Sequence, residues 1–444
     1  MRIILFFLLL PMFAFGQQWE YPFNGKNLNG WNIKGGEAKY RVEKGVIIGT
    51  TVSKTPNTFL CTNQEYGDFI LELELFIEDM NSGIQFRSLS KPEYQNGRVH
   101  GYQMEVDPSP RAWSGGIYDE GRRDWLYIPD INIKGKTAFK IAQWNKYRIE
   151  AIGSVIRTWV NGIPTAHLID NMTGKGFIAL QVHSIRDEEQ PGKEIKWRNI
   201  KIQTTGLKPS PLDDCPVVNM IDNNLSEQEK AQGFKQLFPA DNFDMWRSVH
   251  SQSKPNARWA IKDGMVSVSA SDGSETGNDI VTKEKFGPFE MTFDFKLTPK
   301  ANSGIKYFVD EKYDSGGKSG IGLEYQILDD EGHPDAKMGV VGNRTLASLY
   351  DLIPSEKPTA RFKRKVGDWN YGRIIVKSDN TVQHWLNGFK VVEYTRNSNI
   401  YKALVARSKY VNYEGFGSAA EGHILFQDHG DNVFYKNVKI RSLK

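Results

Sequence analysis

Asn302-Ser303-Gly304-Ile305-Lys306-Tyr307-Phe308, followed by Gly322-Leu323-Glu324-Tyr325-Gln326-Ile327-Leu328-Asp329-Asp330, is the stretch from which this chain is best read. In the second run Leu323, Tyr325 and Ile327 fall on one side of an extended strand. Glu324, Gln326 and Leu328 fall on the other. A charged loop continues through Glu331-Gly332-His333-Pro334-Asp335-Ala336-Lys337 and Gly342-Asn343-Arg344-Thr345 to Ser348-Leu349-Tyr350-Asp351-Leu352-Ile353-Pro354. A carboxylate and an amide on one strand face, beside a loop of His, Asp, Lys and Arg, offer hydrogen-bond partners to a polyol. The same alternation describes the solvated face of any half-buried strand, so spacing alone leaves both readings open.

The stretch has a counterpart upstream. Asn302-Ser303-Gly304-Ile305 repeats Asn81-Ser82-Gly83-Ile84, Trp369-Asn370 repeats Trp144-Asn145, and Trp385-Leu386-Asn387-Gly388 repeats Trp159-Val160-Asn161-Gly162. Gln427-Asp428-His429 answers Gln181-Val182-His183, and Asn437-Val438-Lys439-Ile440 answers Asn199-Ile200-Lys201-Ile202. The shared order implies two tandem copies of about 190–220 residues, far above the roughly 20–50-residue period of a solenoid. Ile70–Ile77 and Phe289–Phe295 alternate as strands, as do Tyr147–Ile152 and Arg373–Val376. Asn161-Gly162 and Asn387-Gly388 are hairpin turns by composition. The clearest helix is Ser226–Gln232, with Ser226 as N-cap and Glu229 closing a capping box. Many short antiparallel strands with little helix make each copy an all-β sandwich. The expected divisions are a leader over residues 1–16, copies over 17–204 and 225–444, and a proline-bearing linker over 205–224.

Composition narrows the function classes. The 444 residues are 39% hydrophobic and 25% charged, with a net charge of +4 and no dense basic run. That balance argues against nucleic acid or an anionic membrane as partner. Met1-Arg2 and the apolar Ile3–Phe15 run, ending Ala14-Phe15-Gly16, read as an export signal, shorter than the ~20 residues a membrane span needs. An exported, periplasmic or secreted chain without a membrane span is expected. Export permits a disulfide between Cys61 and Cys215, but spacing cannot decide it, and two Cys without neighbouring His make no zinc pattern.

The motifs from Asn302-Ser303-Gly304-Ile305 through Glu324–Ala336, Ser348-Leu349-Tyr350-Asp351, His384–Gly388, Ser408-Lys409-Tyr410 and Gln427–Gly430 resemble, in order and spacing, the 3-keto-disaccharide hydrolase family. Its members are also described as 3-keto-glucoside 1,2-lyase and 3-keto-2-hydroxy-glucal hydratase domains. The resemblance implies a concanavalin A-like jelly roll. It also implies cleavage of glycosides already oxidised at C3, by C2 proton abstraction, β-elimination of the C1 aglycone and rehydration. No nicotinamide fingerprint is present, so a separate oxidoreductase would supply the ketone and no cofactor is expected.

Such a reaction needs a base, donors at the ketone oxygen and an acid at the leaving oxygen. The expected roles are His429 as base, Arg344 and Lys409 as enolate stabilisers, and Glu324 as acid, with His183 and Glu105 as first-copy counterparts. Substrate contacts are expected from Gln326, Gln427, Asp329, His333, Tyr350 and His384, and in the first copy from Gln103, Gln181, Arg87, Arg122, Arg123 and Trp125. Arg122 and Arg123 lie beside Tyr118 and Trp125 on a Gly-flanked loop suited to clamping hydroxyls, or to stacking on the Trp. Glu72 and Glu74, separated by leucines, read as the wet face of a sheet. No metal is expected, since the His residues have no tight ligand spacing. A carbohydrate-binding module, in one copy or both, is the alternative. A two-carboxylate endoglucanase is a weaker one, because Pro108-Ser109-Pro110 stands where its second Glu belongs.

Overall fold

The computed structural model describes residues 18–186, 189–271, 278–313, 319–357 and 362–443. The expected leader lies outside them. The chain divides between Val218 and Asn219 into two units. In the first, a seven-stranded sheet runs, in hydrogen-bonded order, Trp31–Gly35, Thr58–Tyr66, Gly176–Val182, Ser82–Leu89, His100–Val106, Ile117–Glu120 and Asp124–Tyr127. An eight-stranded sheet built around Phe69–Phe76, Trp144–Ile152 and Glu194–Gln203 covers it. Leu71, Leu73 and Leu75 from one sheet and Ile84, Phe86, Tyr102 and Met104 from the other share one buried core. Period-two alternation places every second side chain there, each full burial contributing about 1.5–3 kcal/mol.

The second unit has a five-stranded sheet in the order Trp246–Ser248, Ile280–Thr282, His423–Phe426, Asn302–Val309 and Leu323–Leu328. Its companion sheet centres on Phe289–Leu297, Asn370–Val376 and Val433–Ser442. Tyr325 lies edge-on to Phe293 at 5.3 Å and donates its hydroxyl to the Trp385 carbonyl at 3.0 Å, joining the two sheets. Asn161-Gly162 and Asn387-Gly388 all adopt positive φ, as type I′ hairpins require. The helix spans Glu227–Ala231, with the Ser226–Glu229 capping box present. Among the described residues no helix is long and apolar enough to cross a membrane.

Several expectations are corrected here. In the stretch read as linker, Cys215 and Val218 pack into the first core. No disulfide joins the cysteines: Cys61 sits among Phe59, Val99, Phe177 and Ala179, while the Cys215 sulfur meets the Tyr127 hydroxyl at 3.4 Å. Glu72 is not on a wet face but buried against Arg148 (2.6 Å), Lys201 (3.1 Å) and Lys146 (3.2 Å). His384 cannot touch substrate. It is fully buried between the sheets, with Nε2 2.8 Å from the Tyr307 hydroxyl and Nδ1 3.0 Å from the Ala347 carbonyl, and burial pushes it down to about 4.

Arg87 is structural as well. It occupies a positive-φ bulge and donates to the carbonyls of Gly67 (2.8 Å), Gly153 (2.8 Å) and Ala151 (3.1 Å), and to Asp68 (2.9 Å). The second copy places Phe308 at the matching bulge and covers it with Arg396, 3.6 Å from the ring centroid, which in turn donates to Gly417 and Ala419 carbonyls. Arg87→Ala removes a buried guanidinium and the donor it gives to the buried Ala151 carbonyl. Urea unfolding of the full chain should show the first unit destabilised by about 1–3 kcal/mol, the cost of leaving a buried group without its hydrogen bond.

Candidate functional site

The outward face of the five-stranded sheet carries the polar residues that opened the sequence reading. Antiparallel register sets Lys306 opposite Glu324 and Gly304 opposite Gln326. Glu324 leans over Gly304 so closely that a Cβ there would lie 2.3 Å from its Oε1, which accounts for the glycine. With its amide nitrogen turned toward the carboxylate, Gln326 donates to Glu324 Oε1 at 3.0 Å and to the Ser303 carbonyl at 3.1 Å. Lys306 is buried, and its Nζ donates to the Gly320 carbonyl (3.0 Å) and Ser319 Oγ (3.1 Å) and lies 3.8 Å from Asp279. Burial pushes the Glu324 carboxyl above its ordinary range, opposed by the Lys306 and Lys409 charges.

A cover is built from two segments. In the loop after Leu323–Leu328, the Arg344 guanidinium is held by Asp351 (2.7 Å) and Asp335 (2.9 Å), and Asp335 also accepts from the Tyr350 hydroxyl at 2.8 Å. The second segment follows Phe389–Thr395 and contains the helix Asn399–Val405, capped by Ser398. It delivers Lys409, whose backbone N–H donates to Asp351 at 2.9 Å, and Tyr410, which stacks on Phe416 at 4.0 Å. The Lys409 Nζ lies 4.1 Å from the Tyr350 ring centroid and 5.2 Å from that of Tyr410. Burial lowers its pKa, with Glu324 opposing and Lys306 assisting.

Together these residues enclose a cavity of about 400 Å³, lined by Lys306, Glu324, Gln326, Tyr350, Lys409, Gln427 and His429 among others. The fold therefore brings together most of the second-copy residues singled out from sequence. Besides the core-buried His384, two are placed elsewhere. Arg344 is bound to two aspartates and positions Tyr350 and Lys409 from behind. Asp329 organises the loop, accepting from the backbone N–H groups of Lys300, Glu331 and Gly332. Lys306 and Asp279 were missed; the one signal for the former was a lysine amid the apolar Ile305, Tyr307 and Phe308.

His333 stands at the rim, its ring 5.8 Å from that of His429, and burial lowers its pKa with His429 adding to the effect. His333, His429 and Asp431 have donor atoms within 4.8 Å of one another, a set that linear spacing hides. Their chemistry suits a divalent cation, but His333 Nδ1 already accepts the Asp335 N–H at 3.2 Å. In a neutral ring the proton then sits on Nε2, which is a donor and not a ligand.

The first unit differs at the matching place. Register puts Gln85 opposite Gln103 and Gly83 opposite Glu105, so Gln103 holds the position of Glu324 and Glu105 that of Gln326. A closed chain runs from Ser88 Oγ to Gln85 (2.7 Å), Gln85 to Gln103 (2.8 Å) and Gln103 to Glu105 (2.9 Å), with Asn81 donating to Glu105 at 2.5 Å. Arg122 and Arg123 are engaged within the protein, Arg122 donating to the Thr173 hydroxyl at 2.6 Å. Both bind Asp119, and Arg123 also binds Asp170, the partner of the core-facing Tyr102. Trp125 stacks edge-on with Trp113 at 4.7 Å beneath Arg111, a residue not singled out from sequence. Gln181 is fully buried and neither of its amide atoms has a hydrogen-bond partner. His183 Nδ1 donates to the Ser184 carbonyl at 2.6 Å. A larger cavity of about 650 Å³ lies on the other sheet of this unit beside Glu72, Glu74, Lys146 and Lys201. Its carboxylates are taken up by Arg148, Lys146, Lys201 and Arg198, so we place the candidate site in the second unit's smaller cavity.

The model of the 3-keto-alpha-glucoside-1,2-lyase-like domain family matches residues 18–203 and 233–441. A 3-keto-disaccharide hydrolase of Bacteroides thetaiotaomicron is 34% identical over 237 residues, covering 48% of this chain and 79% of that protein. A crystal structure of a candidate glycosyl hydrolase from Parabacteroides distasonis is 30% identical and aligns over 50% of this chain and 100% of its own, with a TM-score of 0.45.

Burial pushes the Glu105 carboxyl up to about 7, against the opposing effects of Asn81, Gln103 and Arg111. The folded first unit thus holds a proton that the unfolded chain releases near 4.5. Its contribution to stability is complete below that pH and is lost as pH rises to about 7. Thermal unfolding of the full chain from pH 4 to 8 should show this decline, and Glu105→Gln should flatten it.

Proposed function

The chain belongs to the 3-keto-alpha-glucoside-1,2-lyase-like family, and we propose that its second unit cleaves 3-keto-glycosides by elimination and rehydration. One observation carries this reading: a buried carboxyl, Glu324, shares a sugar-sized cavity with two lysines, Lys306 and Lys409, and with His429 at its mouth. A C3 ketone acidifies the C2 proton, which His429 removes. The electron pair moves toward the carbonyl, where the lysine charges receive it. Collapse of this enolate expels the C1 oxygen, and Glu324, whose carboxyl burial pushes above its ordinary range, supplies the leaving-group proton. Water then adds at C1 and a proton returns to C2, giving the free 3-keto sugar. Gln326, Gln427 and Tyr350 line the same cavity and orient hydroxyls; His333 borders it.

Turnover is assigned to the second unit because Gln85 and Gln103 stand where Lys306 and Glu324 do, which leaves the first without cation or acid at those positions. The first unit's role is then to bind sugar. A separate oxidoreductase supplies the ketone, and the chain works outside the cytoplasm.

The test is aglycone release from a 3-keto-glucoside and from its unoxidised parent, using the full chain. Release from the keto substrate alone is expected; release from the parent as well returns the protein to conventional hydrolases, and binding without release makes it a carbohydrate-binding protein. Glu324→Gln and His429→Ala should each lower kcat by roughly 10²–10⁴-fold, the usual worth of a positioned acid or base, with each variant still folded by its far-UV circular dichroism. Unaltered turnover in either variant removes that residue from its role.

A further inference from the structure

The positive charges around the cavity are not equivalent. Lys306 is tied to a carbonyl and a hydroxyl with Asp279 behind it, and Arg344 is tied to two aspartates. The Lys409 Nζ has no hydrogen-bond acceptor among the described residues; it meets the faces of Tyr350 and Tyr410. Its backbone is pinned to Asp351, so the side chain reaches the cavity from a fixed point. An ammonium held by acceptors is a static charge, whereas an amine without them can release its proton and turn a lone pair on a carbonyl carbon.

Resting on the elimination reading above, we propose that Lys409 is a covalent catalyst that forms an iminium with C3 of the keto sugar. The Lys409 amine adds to C3, and the oxygen, protonated by Glu324, leaves as water to give C3=N⁺. The iminium withdraws electrons more strongly than the ketone, so loss of the C2 proton to His429 yields an enamine in place of an enolate. The enamine expels the C1 aglycone, whose oxygen takes up the proton that His429 has accepted from C2, leaving a C1=C2 bond conjugated to the iminium. One water adds across that bond, and a second hydrolyses the iminium, restoring the ketone and Lys409. The water lost on forming the iminium balances the one used to hydrolyse it, so the net reaction consumes a single water.

Three features of the site fit this sequence. Glu324 stands within electrostatic reach of Lys409, and burial pushes its carboxyl above the ordinary range, the direction that suits an acid for dehydration. Lys409 keeps access to solvent, and its pKa lies below the ordinary lysine value, with desolvation as first cause and the neighbouring cation Lys306 assisting, a direction that raises the neutral fraction of the nucleophile. The rings of Tyr350 and Tyr410 hold the positive charge of the iminium as they hold that of the ammonium.

The experiment is reductive trapping. The full chain is incubated with a 3-keto-glucoside and sodium cyanoborohydride, aglycone release is followed in the same sample, and intact mass and peptide mapping locate any adduct. The expected result is release together with a reduced sugar on Lys409. Lys409→Arg keeps the charge but cannot form an iminium; it should lose the adduct and slow turnover more than 100-fold. Lys409→Cys alkylated with 2-bromoethylamine, which rebuilds an amine at nearly the same reach, should regain both. Release without an adduct, or adducts equally abundant in Lys409→Arg, overturns the covalent role and leaves elimination standing. No release from the unreduced wild-type chain overturns the elimination reading and the covalent role with it.

Discussion

A carboxyl group buried between two lysines is the constraint on which the second unit is organised. Removing Glu324 from water carries a large desolvation penalty unless it is protonated or compensated. Lys306, directly opposite in the antiparallel register, and Lys409, from the cover, provide opposing charge, and Gln326 supplies a hydrogen bond. Each of these then needs its own support. Lys306 draws in Asp279, Ser319 and Gly320, and Lys409 depends on Asp351, which is itself fixed by Arg344 and Asp335. The loop after Leu323–Leu328 and the segment carrying Asn399–Val405 are thus tied to the sheet through one continuous set of polar contacts. Even the absence of a side chain at Gly304 belongs to it, since the carboxylate occupies that space.

The first unit shows what the same fold does without that constraint. Exchanging Glu and Gln along one strand moves the carboxylate by two residues, roughly 6–7 Å, from the register position facing a cation to the one facing Gly83. Gln85 replaces Lys306, and a neutral chain of amides closes the face. The arginines that loop composition suggested for ligand binding brace Asp119 and Asp170 instead. Duplication has preserved the bulge after the Asn-Ser-Gly-Ile motif in both copies, with Arg87 in one and Arg396 over Phe308 in the other supplying a guanidinium to buried carbonyls. The architecture is shared, and the electrostatics of the outward face are not.

Much of this was legible without coordinates. Period-two alternation located the strands, the Asn-Gly pairs located two hairpins, and the order of repeated motifs located two copies. Those are local or periodic signals, and local physics sets them. Glu324, Gln326, Lys409, Gln427 and His429, chosen from sequence for their chemistry, line one cavity. The errors share a cause. Arg87, Arg122, Arg123, Arg344 and Asp329 were chosen for chemical type, and their type is equally suited to satisfying buried carbonyls, carboxylates or backbone N–H groups. His384 was expected to contact substrate, although its alternation phase points inward to Tyr307.

What the sequence determined by itself is the β-sandwich repeat, its hairpin turns, and which face of each strand is polar, because backbone geometry ties these to residue spacing. What only the tertiary structure decided is which polar groups meet. Lys306 and Glu324 become partners through strand register, Lys409 through a segment that folds back over the sheet, and His333 joins His429 and Asp431 across nearly a hundred residues of chain. Burial then sets their charge states, since a carboxyl or an amine feels the loss of water and the nearest opposite charge, and neither is a property of the residues beside it in sequence.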